Sequence, residues 1–327
     1  MPVTATPQPG VIVPKQPPDP VPEEPPDQKP QGDNVIWIPG YWAWDSDRTD
    51  FLWVSGFWRV PPPDRQWVPG YWTKVDTGWQ WVSGFWASAQ KQDLTYVAEP
   101  PGTLDAGPST PAPDDSSNWV PGMWVWRESR FVWRPGYWLG AQPGYIWTPA
   151  TYNWTPSGYT YVSGYWDYDL ADRGLLFAPV SFEQPLWRTP GWAYTPSYCL
   201  GLDGLLGSLW VRPGYGHYYF GDYYGPGYAR LGYTPWLSYG PRFHDPLYGY
   251  YRWHGGPGWL QNQRAILAGR TNGELLRPGR TLAQQNTVIR NFERNGTTIN
   301  NINSFNRNSL QTVTALNQLG RAGANNL

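Results

Sequence analysis

A single cysteine, Cys199, stands in 327 residues, so this chain can build neither an intramolecular disulfide framework nor a multi-cysteine metal site. Cys199 reads as a buried, inert thiol. Histidine is almost as scarce: His217, His244 and His254 stand apart, and only His244 has a carboxylate beside it, Asp245. That spacing carries no metal-ligand signature. No run approaches the ~18 apolar residues of a membrane-spanning helix. The first thirty residues hold only Val11-Ile12-Val13 among prolines, which is no secretory signal. No Gly-x-Ser-x-Gly elbow occurs, and no lysine lies beyond Lys91 to serve a phosphate loop. Gly214-Tyr-Gly216 and Gly225-Pro-Gly227 lack the third glycine of a dinucleotide loop, while Asp114-Asp115 and Asp167 with Asp169 fall in a linker and at a strand end. Solvated carboxylates are commoner there than general acids. The chain is expected to be non-enzymatic, with no catalytic residue, no cofactor and no metal.

Aliphatic side chains are short as well. Leu, Ile, Val and Phe number 25, 8, 19 and 10, or 19% of the chain, just under the ~20% below which disorder sets in for highly charged sequences. The net charge is only −1, so that second condition fails and no strongly charged partner is implied. Gly and Pro add 37 each, which argues against an ordinary helical or doubly wound enzyme. Aromatics fill the gap, with 24 Trp, 23 Tyr and 10 Phe.

The tryptophans are periodic. A hexapeptide Trp-x-x-Gly-aromatic-Trp runs Trp37-Ile-Pro-Gly40-Tyr-Trp42, Trp53-Val-Ser-Gly56-Phe-Trp58, Trp67-Val-Pro-Gly70-Tyr-Trp72 and Trp81-Val-Ser-Gly84-Phe-Trp86. It resumes as Trp119-Val-Pro-Gly122-Met-Trp124 and Trp133-Arg-Pro-Gly136-Tyr-Trp138, then in two degenerate copies, Trp147-Thr-Pro-Ala-Thr-Tyr152 and Tyr161-Val-Ser-Gly164-Tyr-Trp166. Successive starts lie 16, 14 and 14 residues apart, then 38, then 14, 14 and 14. The unit is thus 14 residues, and the long step is one unit plus a 24-residue insertion. The residue two before the first Trp is often aromatic too, as at Phe51, Trp79, Phe131, Tyr145 and Tyr159. That period of two is a strand signature, and polar turns such as 45–50, 61–65 and 127–130 separate the copies.

The expected fold is all-β: an antiparallel meander of 14-residue Trp-rich strands in two four-copy modules, with low-complexity or disordered flanks. A proline-rich, weakly ordered leader spans 1–34, the modules 35–87 and 119–168, and a polar linker or long loop 88–118. Residues 169–258 form a Gly/Tyr/Pro-rich region with short strands. The tail, 259–327, holds 13 Asn and eight Arg against two acids and reads as disordered or partly helical. Val288, Phe292, Ile299, Ile302, Val313 and Leu316 share one heptad frame there, a pattern that would support oligomerisation.

Two accounts compete for the central Pro-Gly or Ser-Gly. A kinked strand keeps Trp53 and Trp58 along one strand, with Phe51, Trp53 and Phe57 on one face and Val54, Gly56 and Trp58 on the other. A type II turn would set the two tryptophans across a hairpin. The kink is favoured, because type II turns splay two-residue hairpins and the Ser-Gly copies lack proline's preset φ.

Scarce aliphatics make most rings core rather than binding surface. Trp44, Trp126 and Trp154, beside turns, are the expected exceptions and the candidate ligand-facing rings.

Phe51-Leu-Trp53-Val-Ser-Gly56-Phe-Trp58 and its copies over 35–168 resemble the YXWGXW, or WXXGXW, repeat-containing bacterial proteins, and the proline-rich leader resembles planctomycete-type members. The resemblance implies tandem hairpin-like repeats and a cell-envelope or secreted location. It supports a non-enzymatic structural or protein-interaction role, with other envelope proteins or polysaccharide as partners. The alternative is binding of envelope polysaccharide through exposed Trp and Tyr rings. No specific nucleic-acid partner is expected.

Overall fold

A computed structural model describes residues 12–30, 32, 34–90, 94–182, 185–201, 205–212, 218–287 and the strand Val313–Ala315. The repeat region is all-β and antiparallel, and its building block is a pair of copies. In hairpin 1 (36–59) strand Tyr41–Asp45 pairs with Asp50–Val54, and Ile36–Ile38 pairs with Phe57–Arg59. Hairpin 2 (65–88), hairpin 3 (118–139) and hairpin 4 (145–168) repeat the pattern. The turns suit the pairing: Glu128 and Ser129 of hairpin 3 both have positive φ, 47° and 61°, the twist-matched geometry of a two-residue hairpin turn.

Each copy is a strand interrupted once. Register is the same on both sides of the interruption, since Ile38↔Phe57 and Tyr41↔Val54 lie on one continuous count, with two unpaired residues on each strand between them. No residue is inserted, so this is a break in the ladder and not a bulge. The type II turn is excluded twice over. Trp58 faces Trp37 while Trp53 faces Trp42, and none of the repeat glycines has the positive φ that such a turn demands.

The break resets the alternation. Trp37 and Trp53 both reach into it from the same side, against Glu23, and each is paired with a further tryptophan. The four motif tryptophans of hairpin 1, Trp37, Trp42, Trp53 and Trp58, therefore share one face, where strict alternation would have split Trp53 from Trp58.

The leader and linker are not outside the modules. Strand Ile12–Val13 adds to hairpin 2 at Trp79 and Gln80, and Tyr96–Val97 adds to hairpin 4 at Tyr159 and Thr160. From there each segment runs extended to the first hairpin of its module. Trp42 Nε1 donates to the Asp19 carbonyl at 2.9 Å, and Trp124 Nε1 donates to the Gly102 carbonyl at 2.8 Å. A weakly ordered leader and a polar loop are thus replaced, over 12–23 and 96–105, by two equivalent straps. Val13 and Val21 are buried, and that apolar burial offsets the ordering of a proline-rich segment.

Hairpin 2 sits astride the unpaired edge of strand Tyr41–Asp45. Tyr41 stacks on Trp81 at 4.8 Å, Phe51 meets Trp72 at 5.3 Å, and Trp72 Nε1 donates to the Trp42 carbonyl at 2.8 Å. Phe131 and Tyr152 repeat the contact between hairpins 3 and 4 at 6.1 Å. Covering an edge in this way removes a template for foreign strand pairing.

Residues 169–287 contain short strands and also helices, chiefly Trp236–Arg242, Pro246–His254 and Gly256–Asn272. Buried Leu237, Leu247, Tyr248 and Tyr251 pack with Ile146 of hairpin 4 in one core. Strand reading fails here because Leu247, Tyr250 and Tyr251 follow a helical, not an alternating, spacing. Asp245 caps the helix that begins at Pro246, accepting from Tyr248 N at 3.0 Å, Trp236 Nε1 at 3.1 Å and Tyr218 Oη at 2.8 Å. Among the described residues, no helix is long and apolar enough to cross a membrane. Of the tail's heptad residues, only Val313 lies among them, in a strand paired with Tyr198–Leu200.

Candidate functional site

The motif's two tryptophans meet those of the partner copy. Trp37 with Trp58, Trp42 with Trp53, Trp67 with Trp86, Trp72 with Trp81, Trp119 with Trp138, Trp124 with Trp133 and Trp147 with Trp166 lie 5.2–5.6 Å apart at interplanar angles of 57–72°. Edge-to-face contacts of this kind contribute about 0.5–1.5 kcal/mol each beyond burial.

The first tryptophan of each copy also lies on the partner copy's glycine. A Cβ built on Gly56 would sit 2.5 Å from Trp37 Cζ2, and one on Gly40 would sit 2.6 Å from Trp53 Cζ2. Gly70 faces Trp81, Gly84 faces Trp67, Gly122 faces Trp133, Gly136 faces Trp119 and Gly164 faces Trp147 in the same way. Spacing between Trp and Gly is therefore an intercopy constraint, which reading a single copy could not reveal. Hairpin 4 shows the exchange: Ala150 stands at the missing glycine, Tyr161 at the tryptophan that would cover it, and Tyr152 pairs with Tyr161 at 5.4 Å.

At the break, the facing glycine N–H groups leave the ladder and converge. In hairpin 1 they point at a carboxylate from the strap. Glu23 Oε2 accepts from Gly40 N at 3.0 Å and from Gly56 N at 2.9 Å, while Oε1 accepts from Trp53 Nε1 at 3.1 Å. Burial raises the Glu23 carboxyl above its ordinary value, against the lowering effect of these three donors. In hairpin 3, Asp105 of the second strap does the same work, accepting from Gly122 N at 3.0 Å and Trp119 Nε1 at 3.3 Å. Neither acid stood out in the sequence, because each lies far along the chain from its break.

Trp44, Trp126 and Trp154, the candidate ligand-facing rings, are half-buried and packed. Trp44 lies edge-on to Phe51 at 5.2 Å, Trp126 meets Phe131 at 4.8 Å, and Trp154 packs on the Met123, Tyr152 and Tyr159 cluster. None of the repeat tryptophans is exposed, yet only Trp42, Trp53, Trp86 and Trp119 are buried and the rest are half-buried. The exposed repeat-face rings are instead Tyr71, Tyr137 and Tyr161.

Elsewhere the chemistry is sparse. His254 stacks on Tyr250 at 5.4 Å, burial lowers the His244 pKa, and His217 lies outside the described residues. Cys199 is buried, which pushes its thiol up to about 12. Both carboxylate oxygens of buried Asp167 accept from Arg59 Nη2, at 2.5 and 2.6 Å. Among the described residues, no group of three or more His, Cys, Asp or Glu is placed to hold a metal ion.

Against models of protein families, residues 32–59, 67–87, 118–138 and 143–167 match the WXXGXW repeat (2 copies). No curated protein and no solved structure matches the chain. The four matched segments fall on the four hairpins, so the two-copy repeat is also the physical unit. Those four segments are similar to the WXXGXW repeat, and within each of them the copies fold in reciprocal pairs.

Proposed function

We propose that this chain is a non-enzymatic structural or protein-interaction protein of the bacterial cell envelope. The observation that carries the reading is the strap: the paired-copy hairpins of one module take up a proline-containing segment from outside the repeats, hairpin 2 by strand addition and hairpin 1 by a carboxylate in its glycine break. Segment capture of this kind is a general mode of protein recognition. These acids fit the same role, because half-buried Glu23 and Asp105 and buried Asp167 and Asp245 are each committed to donors within the fold. The envelope location and the planctomycete-type layout rest on the resemblance of the repeats and leader.

Binding of envelope polysaccharide is the second reading, and it is favoured only by the exposed rings of Tyr71, Tyr137 and Tyr161. Titration with cell-wall polysaccharide separates the two. Unchanged Trp and Tyr fluorescence and no retardation in polysaccharide gels are expected for the interaction protein; quenching with retardation would transfer the function to sugar binding. Fractionation of the producing cells tests location, and recovery solely from cytosol would overturn the envelope assignment.

A further inference from the structure

Hairpin 2 has the complete break without a clasp. Gly70 and Gly84 face each other there, with Trp81 and Trp67 on them in the arrangement of hairpin 1. Their N–H groups approach one another, each lying 2.7 Å from the Cβ position of the other glycine. Among the described residues neither meets an acceptor, and the indole N–H groups of Trp67 and Trp81 make no hydrogen bond and reach solvent. Pro69 is exposed and Gly70 half-buried while Gly84 is buried, so the break opens to solvent from the Gly70 strand. Hairpin 4 differs: Ala150 replaces one glycine, and the equivalent Cβ in hairpin 1 would lie 2.8 Å from Glu23 Oε2. A methyl group there fills the place of the carboxylate oxygen.

We infer that the break of hairpin 2 is a receptor for an acidic side chain on an extended, proline-containing segment of a partner protein. The occupant is argued from the chain's own two precedents, Glu23 after Asp19-Pro-Val-Pro and Asp105 after Gly102-Thr-Leu, which supply carboxylates to hairpins 1 and 3. Two converging backbone N–H groups and an indole N–H form a small concave donor set of the kind that holds anions. No cation takes part in the Glu23 clasp, so recognition comes from donor geometry. The inference rests on the interaction reading and names the chemistry of its partner segment.

A peptide with the sequence of residues 17–27 serves as the probe, titrated against the full chain labelled with ¹⁵N at glycine. One bound peptide is expected, with downfield movement of the Gly70 and Gly84 amides. The same peptide with alanine for each glutamate should bind about tenfold more weakly or worse, since the lost acceptor removes at least one net hydrogen bond. Glu23→Ala should expose the break of hairpin 1 and raise the stoichiometry to two. G70A/W81Y copies the Ala150 and Tyr161 combination that already folds in hairpin 4, and it should abolish binding at hairpin 2 while the chain still unfolds in one cooperative transition. Binding to the Glu23→Ala chain but not to the parent would overturn the assignment to hairpin 2 while leaving segment capture intact. Binding to neither would remove the donor set as a receptor altogether, and saturation by acetate as readily as by peptide would overturn the partner segment. Recovery of the chain from cytosol would sink the envelope reading without altering this titration.

Discussion

Glycine serves an unusual purpose in this repeat. Its usual value is freedom to adopt positive φ, yet the motif glycines do not use it; they are glycine because an indole and a backbone carbonyl occupy the space of a side chain. At Gly56 a Cβ would meet Trp37 Cζ2 at 2.5 Å, the Ile38 carbonyl at 2.6 Å and Glu23 Oε2 at 2.7 Å. Gly56→Ala is therefore expected to destabilise by about 2–4 kcal/mol through overpacking and loss of the Glu23 clasp. Gly140, which meets nothing within 4 Å, supplies the comparison, and Gly140→Ala should stay within about 0.5 kcal/mol. Urea unfolding of both variants checks the contrast; equal losses would mean that the indole seat is not what selects glycine. Ala150 and Tyr161 make the point from within the chain, since the smaller ring accompanies the larger backbone residue.

At the scale of the element, the strap carries the chemistry. Three donors in hairpin 1 would lose their acceptor without Glu23, and buried polar groups without partners cost about 1–3 kcal/mol each. Burial nevertheless raises the Glu23 carboxyl, so the folded chain holds this proton more tightly than the unfolded one. The contribution of a raised carboxyl is fully present below the ordinary glutamate value and is lost as pH rises through the raised value. Melting temperatures of the parent and Glu23→Gln, compared from about pH 4 to pH 7, should differ least for neutral Glu23 at the acid end. The parent should lose ground as the carboxyl ionises. A gap that widens toward low pH would reverse the sign and show that the clasp requires the anion.

For the whole molecule, the two modules are joined by charge as well as by apolar packing. Arg59 ends hairpin 1, Asp167 lies near the end of hairpin 4, and their ion pair is almost fully buried, with Arg173 adding a contact at 3.3 Å. Burial lowers the Arg59 pKa, partly countered by Asp167. Removing one member leaves the other charge buried and uncompensated, so Asp167→Leu should cost about 3–5 kcal/mol. The double variant Arg59→Met/Asp167→Leu should recover most of that, as apolar replacement of a buried pair often does. Chemical unfolding of the three chains decides it; a double variant no better than the single would show that the pair is needed for packing beyond its charge. Phe85 and Ala87 of hairpin 2 also pack with Val162 of hairpin 4, so apolar contact between the modules accompanies the ion pair.

The 14-residue period, the all-β antiparallel class, the break at Gly and the use of rings as core were legible because each is a local pattern: alternation, turn residues and scarcity of aliphatics act within a few residues. Four things were not. The pairing of copies, the return of the four motif tryptophans of a hairpin to one face, the identity of leader and linker as straps, and the choice of Glu23 and Asp105 as clasps join residues separated along the chain. Nothing in the local sequence around Glu23 distinguishes it from Glu24, which lies beside it. The difference is that the folded strap brings one carboxylate against two glycine N–H groups and an indole. The sequence by itself determined the ribbon and its period, because backbone sterics and side-chain alternation are local. Only the tertiary structure decided which breaks are clasped and which one is open, because a hydrogen-bond acceptor acts through space and not through spacing.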